Sequence, residues 1–251
     1  MMILHIARRE LRQMLRTPYA WMLGAVLLFI AGVFYSFGLA GYADYAAQSA
    51  MYGEEVSVVQ GVVEQFVVVI GLLLVLFMPL VTLRIFADEQ RHGAMAMLLS
   101  SPLSSTEIVL GKWLGMMGFW TLLLGGGFSY IPLTLYGFGS PPAGPLIAGF
   151  SALLLLSALG TGIGLMAGSM AQSPLLAGAL SWCCLMVLWM VSFTADLEGP
   201  LGLLGSTFGL SGHLESMAGG LLSTADLAFF AIGTLFCLFV AQQRVESQRW
   251  S

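Results

Sequence analysis

The chain has 251 residues, 58% of them hydrophobic and only 9% charged, with a formal net charge of −4. About a quarter of the residues in a soluble domain are charged, so this composition excludes an ordinary water-soluble fold and points to a membrane protein. Nine Lys and Arg form no basic stripe that would neutralise phosphates, which excludes a nucleic-acid partner.

Residues 2–16 (MILHIARRELRQMLR) come first. Ile3, Ile6, Leu11, Met14 and Leu15 alternate with Arg8, Arg9, Arg12 and Arg16 at roughly helical spacing. Such a helix either lies in the headgroup layer with its arginines toward anionic lipid, or acts only as a positive flank that sets orientation. Thr17-Pro18 ends it, because the residue before Pro avoids the helical region. The apolar run from about Tyr19 to Ala40 is too long for a cleavable signal core and reads as a retained membrane helix.

Six apolar spans are expected, at about 19–40, 65–83, 113–136, 146–168, 174–194 and 227–242, each near the length that crosses a bilayer. They contain no Asp, Glu, Lys, Arg or His, the groups that ion-coupled carriers keep at membrane depth. All Lys and Arg fall in the N-terminal segment, in the stretch 84–112 or in the tail with Arg244 and Arg249. Six spans put those three segments on one face, which the positive-inside rule makes cytoplasmic, with both termini there. Gly160, Gly164 and Gly168 line one face of the fourth span, and Gly32, Ser36 and Ala40 one face of the first. Close helix approach in lipid uses such faces, within a chain or between subunits. Met78-Pro79 is expected to kink the second span. Cys183, Cys184 and Cys237 lack metal-ligand spacing and read as small apolar packing residues.

Two polar stretches interrupt the apolar pattern. In 84–112, RIFADEQRHGAMAMLLSSPLSSTEIVLGK, charges of both signs surround a Gly break at 93 and Pro102. A short helix offering Met95, Met97, Leu98 and Leu99 suits an apolar groove on a partner, with Arg84, Asp88, Glu89, Arg91 and Glu107 fixing register; otherwise it packs against the chain's own helices. The stretch 195–226 is apolar yet broken by Gly199-Pro200, Gly205, Gly209, Gly212 and Gly219-Gly220, a pattern for short helices dipping into the far leaflet. Its His213 and Glu215 are too few for a metal site, where three or four ligands are usual, so local hydrogen bonding or capping is the better reading. The chain has no G-x-x-x-x-G-K-[ST], since Gly111-Lys112 is followed by Trp and lacks the earlier glycine. There is no G-x-S-x-G, H-E-x-x-H or Cys-x-x-Cys either. The chain is therefore not expected to be an enzyme.

The elbow R84-x-F86-A87-x-E89-x-x-x-G93, then Leu98-Leu99, Pro102-Leu103-Ser104 and Ile108-Val109-Leu110-Gly111-Lys112, resembles the first cytoplasmic loop of ABC-2 type transporter permeases. Ser211-x-His213-x-Glu215-Ser216, Gly220 and Asp226 resemble the gliding-motility-associated subfamily, and the Arg-rich helix ending at Pro18 fits too. Ala94-Met95-Ala96 departs from relatives that more often carry Thr and an acidic residue there. The resemblance implies an all-α membrane fold, six helices of type V exporter-like form, with one permease domain over 1–251. It also implies a second permease subunit (the same chain or a related one) and two separate ABC ATP-binding subunits holding ATP and Mg. Residues of about 94–101 would be the coupling helix on that ATPase, in a bacterial inner membrane. The implied activity is export of an amphipathic or lipid-linked substrate, or else transmission of ATP-driven motion to a periplasmic partner without transport.

Overall fold

A computed structural model describes residues 2–52, 59–92, 104–135 and 143–247. Ten α-helices occur among them: α1 Met2–Arg16, α2 Pro18–Tyr52, α3 Gln65–His92, α4 Ser105–Phe128, α5 Tyr130–Leu135, α6 Ala143–Met170, α7 Pro174–Val191, α8 Pro200–Phe208, α9 Leu210–Ala218 and α10 Thr224–Ser247. A π-helical turn, Val59–Glu64, leads into α3, a 3-10 turn, Ser192–Thr194, follows α7, and no strand occurs among the described residues.

Among the described residues six segments are long and apolar enough to cross a membrane: Pro18–Ser49, Val62–Leu83, Ser105–Pro132, Ala143–Met170, Pro174–Thr194 and Thr224–Ser247. They overlap the six expected spans one for one, and the protein is an all-α, six-span membrane protein. The first and third run differently from the expectation. α2 continues to Tyr52, through Asp44, because nothing between Ala40 and Asp44 removes a backbone donor or adds strong turn chemistry. α4 starts at Ser105, not at 113, because Ser104 and Glu107 form a capping box: Glu107 N–H donates to Ser104 Oγ and Ser104 N–H to a Glu107 carboxylate oxygen, both at 3.2 Å. Satisfying two orphan donors there brings Lys112 inside the helix. The third span breaks at Ser129, where Pro132 has no N–H to give the Phe128 carbonyl. α3 stays helical through Pro79.

The bundle is organised around α6. Of its most apolar window 72% is buried, against 22%, 28% and 33% for the windows in α2, α7 and α10, so α6 is the central rod and those three form the outer wall. Lipid tails are as apolar as Leu, so close contact rather than water exclusion must hold the helices together. Gly160 and Gly164 lie directly against Met78 and Thr82 of α3, and Gly162 against Cys237 of α10. Thus two members of the glycine row serve contacts within the chain. Gly168 is half-buried. Gly32 on α2 meets nothing within 4 Å, leaving the Gly32, Ser36, Ala40 face open.

Candidate functional site

At one end of the bundle the chain turns back between α3 and α4, which we call the elbow end. α3 carries Arg84, Asp88, Glu89 and Arg91 on its last turns, and their side chains lie outside the described residues. Gly93, Met95, Met97, Leu98, Leu99 and Pro102 fall wholly outside them. What the structure describes is how the elbow's roots are held. Glu107 closes the capping box of α4, a local role within its own helix.

The N-terminal helix is docked side-on to α4 along a seam of glycines. Gly111 sits under Ile3 and Ile6, Gly115 under Ala7 and Glu10, and Gly118 under Leu11. Positions 111, 115 and 118 share one helical face, so three missing side chains let α1 approach backbone to backbone. A Cβ at Gly115 would stand 2.6 Å from the Glu10 Cβ and 2.9 Å from the Ala7 carbonyl. α1 buries Ala7, Glu10 and Met14 in this seam and leaves Arg8, Arg9, Arg12 and Arg16 exposed, with Arg9 Nη2 reaching back to the Glu10 carboxylate at 3.3 Å. Inside the seam the Glu10 carboxylate lies 3.8 Å from Lys112 Nζ, with both side chains more than nine-tenths covered. A cation there has lost most of its water and needs an opposite charge close by. Trp21 at the start of α2 donates its indole N–H to the Leu15 carbonyl at 2.7 Å, satisfying one free carbonyl at the end of α1.

The opposite end is capped by α8 and α9. α9 is anchored by Leu210, Leu214, Met217 and Ala218, all fully buried against α3, α6 and α7. α8 follows a turn at Gly199, whose φ of +92° excludes most side chains, and lies almost on the backbone of Thr194–Leu197 through Gly202 and Gly205. The second positive φ among the described residues, +91° at Gly220, ends the cap.

His213 and Asp226 are brought together here; Glu215 is not with them. His213 Nδ1 lies 2.6 Å from Asp226 Oδ1 and Nε2 lies 3.2 Å from the Thr207 carbonyl oxygen, while Ser216 Oγ donates to Asp226 Oδ2 at 3.1 Å. Both imidazole nitrogens thus face oxygen atoms, one of the Asp226 carboxylate and one of the Thr207 carbonyl. The ring also stacks on Phe229 with centroids 4.3 Å apart. Asp226 sits in the first turn of α10, where a negative charge is favoured by the helix dipole. One carboxylate thus ties α9 to α10. Glu215 is exposed, and its carboxyl is held above the usual range by partial burial first and then by repulsion from Glu64 and Asp196. Among the described residues no three His, Cys, Asp or Glu converge as metal ligands.

Between α7 and α10 runs an apolar groove of about 750 Å³. Leu159, Ile163 and Met166 of α6 form its floor, while Cys184 and Leu188 face Ile232, Phe236 and Cys237 across it. Sequence reasoning missed the groove, the glycine seam and the Glu10–Lys112 pair. The seam had a readable signal, three glycines on one face across the junction of the polar stretch and the third expected span, from Gly111 to Gly118. The pair had none, since Glu10 and Lys112 are a hundred residues apart in sequence.

No curated protein matches the chain. The family model described as ABC-2 family transporter protein matches residues 4–201. That match takes in α1, the glycine seam, the elbow and five of the six spans. It carries a membrane subunit without an ATPase of its own and a partnership with an ABC ATP-binding subunit. A six-span bundle with a polar elbow and an arginine-bearing helix locked beside it is therefore a multi-pass permease subunit of an ABC transporter, and the chain belongs to the ABC-2 family transporter proteins.

Proposed function

We propose that this permease exports an amphipathic or lipid-linked substrate, driven through the elbow by two ATP-binding subunits on the cytoplasmic side. A second permease subunit, the same chain or a related one, completes the assembly, which belongs to the gliding-motility-associated branch. The observation that carries this reading is the build of the elbow's roots. α3 continues as helix for nine residues past Leu83, and α4 begins on a capping box with α1 clamped along it. A stiff lever of this kind passes displacement into two spans, whereas a loose loop would absorb it. The open Gly32, Ser36, Ala40 face of α2, the least buried span, supports the companion subunit. Small-residue faces let backbones approach closely, and among the described residues nothing lies within 4 Å of a Cβ placed at Gly32. ATP and Mg belong to the ATP-binding subunits in this scheme, because the chain has no phosphate-binding loop.

The test is charge reversal on the last turns of α3. Glu89→Arg is expected to lower copurification of the ATP-binding subunit from native membranes while leaving membrane insertion intact. Unchanged copurification removes Glu89 from the interface. Purification with no ATP-binding protein at all, from membranes that contain one, overturns the docking reading as a whole.

A further inference from the structure

We infer that the row Arg8, Arg12 and Arg16 on α1 is a binding site for anionic phospholipid headgroups in the leaflet at the elbow end. The inference stands apart from the ATPase-docking reading and needs only that the first and third spans cross a membrane.

The three arginines recur every four residues, so they form one row, about 6 Å apart along the helix axis. Residues 7, 10 and 14, which fill the glycine seam, fall about half a turn round the helix from that row. The row therefore points away from α4. All three arginines are exposed, and no ion pair among the described residues uses them. Arg9 differs, because it is drawn to the Glu10 carboxylate at 3.3 Å. Glu10 is the only acid before Asp44 and it is buried, so nothing on α1 neutralises the row. Docking on α4 also fixes the helix, which presents the three guanidiniums as a preset array for phosphate oxygens.

The partner follows from where the row stands. Arg16 comes two residues before Pro18, where the first membrane segment starts, and the seam glycines lie in the first half of the segment Ser105–Pro132. The row is thus beside the point where two spans enter the bilayer, which is headgroup depth. Its ends are apolar. Leu4 continues the row one step upstream and is 70% exposed. Trp21 is 53% exposed on the downstream side, with its indole N–H held by the Leu15 carbonyl. An acidic protein surface in water has no use for those two side chains, whereas the boundary between headgroups and tails takes both beside arginine. An ordinary interfacial helix is held by its apolar face. Here that face is taken up by α4, so the attraction left for lipid is mainly charge. Charge, unlike apolar burial, tells an anionic headgroup from a zwitterionic one.

The experiment places the full chain in phosphatidylcholine vesicles doped with a trace of photoreactive lipid. The lipid carries a diazirine on one tail close to the ester, under either a phosphatidylglycerol or a phosphatidylcholine headgroup. Adducts at Leu4, Trp21 and Met22 are compared with those at Phe193 and Leu203, exposed at the cap end in a stretch, 113–243, without Lys or Arg. At low salt the phosphatidylglycerol probe is expected to exceed the phosphatidylcholine probe by about fivefold on α1, the preference given by one arginine beside each headgroup. At the cap end the two should label equally. High salt should bring the α1 ratio close to one. Arg8→Gln, Arg12→Gln and Arg16→Gln together should do so at low salt, while Lys at the same positions should keep most of the preference. Should the Gln variant fail to insert, the wild-type ratio and its salt dependence still decide. Equal labelling of α1 by the two probes at low salt overturns the inference, as does a preference that neither salt nor the Gln variant moves. Loss of α1 labelling by both probes once the ATP-binding subunit is bound also overturns it, by assigning the row to an acidic face of that subunit.

Discussion

At the elbow end, α1 lies along α4 with its side chains resting in three glycine gaps and a Glu–Lys pair sealed between them. At the cap end, α8 rests its glycines on backbone, and a His–Asp pair joins α9 to the start of α10. Each end thus buries one carboxylate beside a nitrogen partner, but with different surroundings. Glu10 and Lys112 sit 3.8 Å apart, a separation that gives electrostatic balance with little directional bonding. His213 and Asp226 share a short hydrogen bond, with Ser216 and the Thr207 carbonyl taking up the remaining valences. The difference teaches where rigidity is bought by charge and where by geometry. α1 is held by close fit plus one sealed ion pair, so disturbing either should release it as a unit. The cap is held by a satisfied network and by four fully buried apolar anchors, so losing one bond should loosen it locally.

The sharpest way to break this contrast is Glu10→Gln. It leaves the fit of the seam intact and removes the carboxylate that faces the buried Lys112. Removing one partner of a buried pair costs about 3 kcal/mol, the lower end of the usual range because the Glu10 carboxylate is shared with the exposed Arg9. The apparent unfolding temperature in detergent should fall, and protease should gain access to α1. Exchanging the charges, Glu10→Lys with Lys112→Glu, should recover most of the loss. If Glu10→Gln leaves both measurements unchanged, the seam is held by its glycines alone.

The cap is tested next by Gly205→Ala, where a Cβ would stand 2.7 Å from both Ala195 Cα and the Thr194 carbonyl carbon. Those are backbone atoms and have no rotamer to escape into, so a cost of about 2 kcal/mol is expected, at the middle of the overpacking range. The damage should stay within the cap, with cleavage sites appearing between residues 199 and 209 while α1 remains protected. A smaller loss, about 1.5 kcal/mol, is expected for His213→Ala, which leaves Asp226 buried with Ser216 as its remaining hydrogen-bond partner. Adding Asp226→Ala should return part of that loss, since the stranded carboxylate is then gone. Additive losses in the double variant would mean that the two side chains do not act as a pair.

How much of this was legible in the sequence differs between the two ends. The six spans were readable because bilayer thickness sets a length and an apolar composition that few other structures need. The short helices of the cap were readable because Gly199-Pro200, Gly209 and Gly219-Gly220 mark their ends. α4 starts eight residues before the third expected span at about 113, because Ser104-x-x-Glu107 is a helix-start signal inside the polar stretch. Partnerships across the fold were not legible. Nothing in the composition of α1 says that its one carboxylate faces inward while four arginines face outward, since that depends on which face α4 presents. His213 pairs with Asp226 rather than acting with its near neighbour Glu215, because residues two apart on a helix point away from each other. The groove was invisible for the same reason: it is a gap between α7 and α10, set by how both lean on α6.

The smallest expected effect concerns the acidic side of the cap. Glu215 has its carboxyl raised above the usual range by partial burial, then by Glu64 and Asp196. A carboxyl whose folded pKa is raised binds its proton more readily in the folded chain than in the unfolded one. It therefore stabilises the cap below the ordinary carboxylate range, and that contribution is lost as pH rises through the folded value. Because Glu215 is exposed, salt and water screen the effect, so it should be seen only as a gentle slope on the acid side. Glu215→Gln should flatten the slope of unfolding temperature against pH and leave the value at low pH nearly unchanged. High salt should remove only the smaller part of the slope, that from repulsion by Glu64 and Asp196, and leave the part due to burial. An acid-side slope that survives Glu215→Gln would place its source elsewhere on the chain and leave Glu215 an ordinary surface carboxylate.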